Sequence, residues 1–319
     1  PAAVSGNLMS RLIAMRTLRG LLTVWGLLTL VFVVLRLSGD PLDALLGDEA
    51  PPEVVDYYRA LYGFDQPLWR QYFLYFWGLF QGDWGQSFRD GRDALEVVVE
   101  RIPATVQLGF TAFLFSLALG IPLGVLAAVY RNTFLDRFSM GFAVLGFALP
   151  NFFIGIILIL IFSMTLRWLP SSGTGTLAHF ILPVVTLGTA GAGSIARFAR
   201  SSMLEVINRP YMRTAPATGL RRPRRIMWHA VPNAAIPIVT LLGFRLGDMI
   251  AGSVVVEAVF AWPGVGRLLV NSVTARELAV VQAIIVIVTI TMVTANLLVD
   301  LAYTWLDPRQ REGRSGHKN

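Results

Sequence analysis

The sequence has no cysteine, three histidines and, among its 27 basic residues, a single lysine, Lys318. Without cysteine there can be no disulfide framework, thiolate metal site or cysteine nucleophile. His179, His229 and His317 make no pair at metal-ligand spacing and no HExxH, and no G-x-S-x-G elbow occurs. Zinc hydrolases and serine hydrolases built on those motifs are therefore excluded. A phosphate-binding loop of the GxxxxGK[ST] kind needs a lysine to reach the terminal phosphates. Lys318 is followed by Asn319, so this chain does not hydrolyse ATP by that route. Charge is scarce as well: 15% of residues are charged, against about 25% in soluble domains.

Apolar residues are abundant. They make up 55% of the 319 residues, and the mean hydropathy is +0.60. They come in runs that reach the about 20 residues a helix needs to cross a bilayer. The chain reads as an all-α polytopic membrane protein whose surroundings are membrane lipid. Its formal charge of +7 lies in short loops between apolar runs, where it marks topology rather than a nucleic-acid face, and no nucleic-acid partner is expected.

Residues 1–37 combine a basic lead with a first apolar run over 17–37. That run exceeds the about 7–15-residue core of a signal peptide, and Ser38-Gly39-Asp40-Pro41 follows in place of a small-x-small cleavage site, so it is read as a retained span. Residues 38–103 form the longest non-spanning region and hold most of the acids. There, Pro51-Pro52-Glu53 predicts a helix start with an acid in its first turn. The aromatic, amphipathic stretch 69–80 is suited to the bilayer interface. Five more spans are predicted over 104–129, 140–166, 180–195, 234–258 and 278–305, giving six in all. In the fourth, Gly188, Gly191 and Gly193 predict close approach of neighbouring helices. Residues 104–306 form the five-helix core and contain a loop over 197–233, and 307–319 form a tail.

Basic residues in short loops mark the cytoplasmic side. Arg11, Arg16 and Arg19, then Arg131 and Arg137, then Arg197 and Arg200, and finally Arg309, Arg311, Arg314 and Lys318 fall on one side of the predicted spans. Both termini are therefore expected in the cytoplasm, and the acidic 38–103 region outside. The stretch 209–233 shares the cytoplasmic side. It carries Arg209, Arg213, Arg221, Arg222, Arg224 and Arg225 and no acid. A short helix over 211–218, a turn at Gly219 and Pro232 before the next span are predicted. Topology accounts for this charge but not for the helix–glycine–proline order.

Arg245 and Asp248 lie near the middle of the fifth predicted span, three apart and on one helical face. They pair locally to make insertion tolerable, or they line a polar cavity in which Arg245 offers a charge to a substrate carboxylate. An ion-coupled transporter or channel usually sets more ionisable groups deep in its spans. The remaining class is a translocation subunit driven by a separate motor, with the 209–233 stretch as the docking surface that receives the motor's motion.

That stretch resembles the cytoplasmic EAA loop of binding-protein-dependent ABC importer permeases. Arg213-Thr214-Ala215 stands where EAA does, Gly219 is the loop glycine and Val231-Pro232 stands for LP. The Arg-Thr-Ala variant, with Tyr211 before it and Gly219-Leu220 after, is similar to the dipeptide/oligopeptide/nickel branch. So are Gly39-Asp40-Pro41, Asp65-Gln66-Pro67, Gly82-Asp83, Arg101-Ile102-Pro103-Ala104-Thr105, Ile121-Pro122-Leu123-Gly124, Pro150-Asn151-Phe152-Phe153 and Leu169-Pro170-Ser171-Ser172-Gly173. Further along come Arg200-Ser201-Ser202-Met203-Leu204, Val255-Val256-Glu257, Trp262-Pro263-Gly264-Val265-Gly266-Arg267 and Leu306-Asp307-Pro308-Arg309. The strings follow the family's order over almost the whole chain.

The resemblance implies a type I ABC importer permease fold in the inner membrane. It implies a second, homologous permease subunit, two cytoplasmic ATPases that bind ATP and Mg (this chain holding no cofactor) and an extracytoplasmic substrate-binding protein facing 38–103. It assigns ATPase coupling to Arg209, Tyr211, Met212, Arg213, Thr214, Ala215, Gly219, Leu220 and Arg221. The implied substrate is a dipeptide or oligopeptide, with nickel or another small solute as the alternative within the branch. The few histidines and absent cysteine weigh against a metal. Two departures stand out. Pro216 replaces an arginine; a coupling helix starting near Arg213 would place it in the first turn, where a missing N–H is tolerated. Arg245 and Asp248 are unusual for the branch and are assigned to the translocation pathway.

Overall fold

The structure, a computed structural model, describes residues 2–37, 42, 46, 50–214 and 220–306. The helices are α1 (Ala2–Leu37), α2 (Pro52–Leu61), α3 (Leu68–Gln81), α4 (Ala94–Val99), α5 (Ile102–Val129), α6 (Phe134–Ala148) and α7 (Asn151–Leu158), which runs into a π-helical stretch, Ile159–Thr165. Then come α8 (Leu177–Ile207), α9 (Pro210–Thr214), α10 (Arg222–Arg225) with a second π-helical stretch, Ile226–Ala230, and α11 (Val231–Val259), α12 (Val265–Thr274) and α13 (Leu278–Leu306). Among the described residues the only β pairing is an isolated bridge between Gln86 and Asp93. Contacts divide the chain into two compact units, one from 1–103 with 267–298 and the other from 104–266 with 299–319.

Local chemistry sets the helix ends. Pro52 opens α2 as predicted, with Glu53 in the first turn. Gly82 closes α3 in the left-handed region at φ 84°, its N–H bonded to the Gly78 and Leu79 carbonyls. The Asp93 side chain caps α4 by accepting from the backbone N–H of Leu95 and Glu96. The third predicted span, 140–166, is not one straight helix. Leu149 is extended (φ −84°, ψ 133°) before Pro150, which disfavours helical geometry in the residue it follows. Phe134–Ala148 and Asn151–Thr165 therefore meet at a 105° bend.

Three helices among the described residues are long and apolar enough to cross a membrane: Thr17–Val34, Ala94–Val129 and Leu177–Ile207. The bent pair passes the same test when taken together. The fourth predicted span is twice as long as 180–195, because its glycines are packing sites and not breaks. Helices α11 and α13 are 29 residues each, beyond the about 20 needed.

Within the 104–266 unit, α8 is the central element, and its small residues let α5 and α6 approach to backbone contact. A Cβ at Gly188 would lie 2.9 Å from the Ala112 carbonyl oxygen, and one at Gly193 would lie 2.5 Å from that of Ala143. Ser116 Oγ, which a Cβ at Gly191 would meet, donates to the carbonyls of Ala112 and Gly188, both at 2.8 Å. The predicted close packing is present. At the far end of α11, Glu257 is fully buried. Its Oε1 accepts from Ser253 Oγ at 2.9 Å and its Oε2 from the Gly266 N–H at 2.7 Å. Trp262 Nε1 donates to the Ala104 carbonyl and Val265 N–H to Thr105 Oγ1. The Trp262–Gly266 turn is thereby fastened to the start of α5.

In the other unit, aromatic side chains form the packing. Phe32 meets Tyr72 and Tyr75, Tyr62 meets Phe88 at 4.7 Å between ring centroids, and the Arg36 guanidinium lies 4.5 Å from the Phe64 centroid. A cavity of about 240 Å³ lies among these rings. Glu277, just before α13, accepts from Ser87 Oγ at 3.0 Å through Oε2, while its Oε1 is buried with no hydrogen-bond partner among the described residues. Burial pushes the Glu277 carboxyl above its ordinary range. A carboxyl raised in the fold favours the folded state when protonated, so its contribution is full below the unfolded value, about 4.3. It is lost as pH rises through the folded value. In detergent, Glu277→Gln is therefore expected to raise the melting temperature at neutral pH, and the difference from the parent should vanish in acid. A difference that is constant with pH would show that Glu277 does not titrate in this way.

Candidate functional site

Most of the predicted coupling residues fall where α8 ends and the chain returns to α11. The last turn of α8 places Glu205 to accept from Arg209 Nη2 at 2.8 Å, an exposed pair four residues apart on the helix. Pro210 then starts α9 at a position where a missing N–H costs nothing. The helix thus begins at Pro210 and not near Arg213. Ala215 and Gly219, with Pro216 between them, lie outside the described residues. So does the Arg213 side chain, although its backbone is in α9.

The two neighbours at the start of α9 face opposite ways. Tyr211 is 42% exposed, whereas Met212 is 4% exposed. Met212 packs with Ala128 at the end of α5, Met203 and Val206 of α8, and Ala230 and Ala234 at the start of α11. One thioether side chain thus anchors α9 to three long helices, while the tyrosine ring is presented outward. The Thr214 hydroxyl donates back to the Tyr211 carbonyl at 3.2 Å. Leu220 is half-buried and Arg221 exposed, the latter extended at the N-cap of α10. Beside Met212 is a cleft of about 120 Å³ bounded by Val129, Ile207, Arg222, Arg225 and Ile226.

An ion pair braces the end of α8 from the other side. Asp136, buried in the first turn of α6, accepts from Arg200 Nε at 2.7 Å and Nη2 at 2.8 Å. Its Oδ2 also accepts from the Asn132 N–H at 2.9 Å, which holds the turn between α5 and α6, where Asn132 has φ 65°. From the sequence, Arg200 reads as a topology charge and as part of a string, and Asp136 has no role. A signal was present in the Arg200–Leu204 string, since an arginine two turns inside a long helix needs a partner. Glu257 was likewise quoted only as part of a string, although a lone acid ending an apolar run also calls for one.

Arg245 and Asp248 both lie on α11, as predicted for one span. Their side chains are outside the described residues, so neither their pairing nor a cavity is described. Among the described residues no cluster of histidine, aspartate and glutamate could hold a metal ion.

Comparisons with known proteins agree with this architecture. Residues 120–312 match the family model of the binding-protein-dependent transport system inner membrane component, and residues 9–109 match the model of its N-terminal part. The glutathione transport system permease protein GsiC of Escherichia coli strain K12 is 41% identical over 283 residues, covering 88% of this chain and 92% of that protein. Its counterpart in Salmonella paratyphi A is 40% identical over 290 residues, covering 91% and 94%. Among solved structures, an inward-facing form of the MetNI methionine ABC transporter aligns with a TM-score of 0.57 at 20% identity, over 66% of this chain and 96% of that one. An amino acid ABC transporter solved with histidines gives 0.52 at 17% identity, over 65% and 92%. At those identities the likeness is one of fold. With family models over most of its length and relatives above 40% identity, the chain belongs to the inner-membrane permeases of binding-protein-dependent ABC importers, in the dipeptide/oligopeptide/nickel branch.

Proposed function

We propose that this permease moves short peptides into the cytoplasm, driven by ATP hydrolysed on partner subunits. The observation that carries the reading is the outward Tyr211 on a five-residue helix anchored by Met212. A short helix held by a buried Met212, with Pro210, Tyr211 and Thr214 exposed, can receive a push from a soluble motor and pass it to α5, α8 and α11 together. The glutathione permeases among its relatives support a peptide as substrate, glutathione being itself a short peptide.

The working complex has this chain beside a second, homologous permease. Two cytoplasmic ATPases meet the coupling segment from Arg209 to Arg221, and an extracytoplasmic binding protein meets the 38–103 region. In this reading six spans leave both termini in the cytoplasm, and Arg245 and Asp248 belong to the translocation pathway. Because substrate selection rests largely with the binding protein, the test is made on the assembled importer. The chain is expected to co-purify with an ATPase and, with its binding protein in vesicles, to accumulate labelled glutathione or dipeptide only when ATP is supplied on the ATPase side. Uptake that follows an ion gradient without ATP, or no association with an ATPase, would sink the reading. Neutralising Arg245 and Asp248 together is expected to reduce uptake more than it reduces the amount of folded protein; equal losses would make the pair structural.

A further inference from the structure

The basic run that follows the coupling segment has a geometry that motor docking does not require. Arg222 is turned toward the membrane-spanning part: its Nη2 donates to the carbonyl of Val129, the last residue of α5, at 2.8 Å. Its guanidinium lies 6.0 Å from the Tyr130 ring centroid. Arg222 therefore sits at the level where a spanning helix ends. Arg224 and Arg225 follow, and among the described residues no carboxylate pairs with either. One turn further, still before α11 begins, Met227 is 62% exposed and Trp228 is 73% exposed. The cleft beside Met212 is lined by the apolar residues Ala128, Val129, Ile207 and Ile226 together with Arg222 and Arg225.

Arg222 at the depth of a helix end, Arg224 and Arg225 with no carboxylate partner among the described residues, an exposed indole shortly after them and apolar residues lining the cleft with Arg222 and Arg225 match an amphiphile bearing an anionic phosphodiester. Trp concentrates at the membrane–water boundary. Basic clusters just outside a span attract anionic lipid, each charge contributing about a fivefold preference. An acidic protein surface would satisfy the arginines but not the level of Arg222 with Val129 or the apolar residues of the cleft.

We propose that Arg222, Arg224, Arg225 and Trp228 form a binding site for the headgroup of an anionic phospholipid, and that its occupancy steadies the coupling segment. The link is direct, because Arg222 and Arg225 line the same cleft as Met212. Assignment to the cytoplasmic leaflet rests on the transport reading above; the site itself does not.

The test measures lipid retention first, so that it does not depend on uptake. The complete importer complex is exchanged into phosphatidylcholine with phosphatidylglycerol, extracted gently and assayed for bound lipid by mass spectrometry. The parent is expected to retain phosphatidylglycerol selectively. Arg222→Gln/Arg224→Gln/Arg225→Gln is expected to lose about tenfold or more of that selectivity, and the matching triple lysine variant to keep most of it. Trp228→Ala should weaken retention without changing subunit composition, which guards against misfolding of the triple variant. In vesicles of phosphatidylcholine alone the parent should transport more slowly, and phosphatidylglycerol should restore it. Restoration by free glycerol phosphate instead would assign the site to a soluble anion and overturn the proposal. So would equal lipid retention by parent and glutamine variant, or loss of the ATPase from the glutamine variant with lipid retention intact, which would make the arginines a protein contact. Selective retention by a complex that fails to take up peptide would support the lipid site and count against the transport reading.

Discussion

Met212→Ala is expected to cut ATP-driven uptake by about thirtyfold or more while the complex goes on hydrolysing ATP. Among the described side chains of α9, Met212 alone is buried, in a cluster with residues of α5, α8 and the start of α11. Truncating a buried methionine to alanine costs about 2–5 kcal/mol, and about 1.4 kcal/mol changes a population tenfold. Even the lower figure would leave α9 mostly detached, since five residues are far too few for a stable isolated helix. The substitution lies outside the predicted spans, so the variant should reach the membrane and assemble. Met212→Leu, which keeps volume, is expected to retain most uptake. Measuring uptake and ATP hydrolysis on the same reconstituted complex checks this. Equal uptake by the alanine and leucine variants would show that burial of Met212 is not what transmits the stroke.

Asp136→Asn is expected to lower the melting temperature of the chain and to uncouple transport; the reciprocal exchange Asp136→Arg/Arg200→Asp should recover part of both. Removing one partner of a buried ion pair costs about 3–5 kcal/mol because the other charge is left without compensation. Arg200 retains 26% side-chain exposure, so the lower end applies. The asparagine can still accept from the Asn132 N–H, which isolates the loss to the guanidinium. Arg200 lies three residues, about one turn, before Met203, which shares a buried cluster with Met212, so a shift in this part of α8 would reach the 209–214 segment. A double-mutant cycle measures the pair directly: contacting residues give coupling of about 0.5–3 kcal/mol. Strictly additive single effects would mean that the two residues act independently.

Apolar run length and turn chemistry made the helix order legible in the sequence. Pro51-Pro52-Glu53 gave the start of α2, and the aromatic 69–80 stretch became α3. The glycines of α8 were correctly read as packing residues, yet they led to a helix drawn too short, because glycine lowers local helical preference while tight packing more than restores it. The break at Pro150 was hidden by the apolar residues on both sides, since hydropathy does not register direction. A short helix from Tyr211 was legible over the described residues 211–214, but which of its side chains is buried was not. Tyr211 and Met212 are adjacent, and only the places of Met203, Val206 and Ala234 in three dimensions decide which of them is buried. Asp136 and Arg200 are far apart in the chain, and nothing short of the α6–α8 crossing joins them.

The glycine face of α8 has a consequence for leakage. Where the carbonyls of Ala112 and Ala143 lie against Gly188 and Gly193, with the Ser116 hydroxyl spanning the gap, there is no space for a file of water and still less for a solute. The two seams beside α8 are therefore closed in this structure and open only if the helices part along their backbones. Whatever crosses must pass on another face, and the cell can run a large conformational change in its inner membrane without dissipating its proton gradient along this helix.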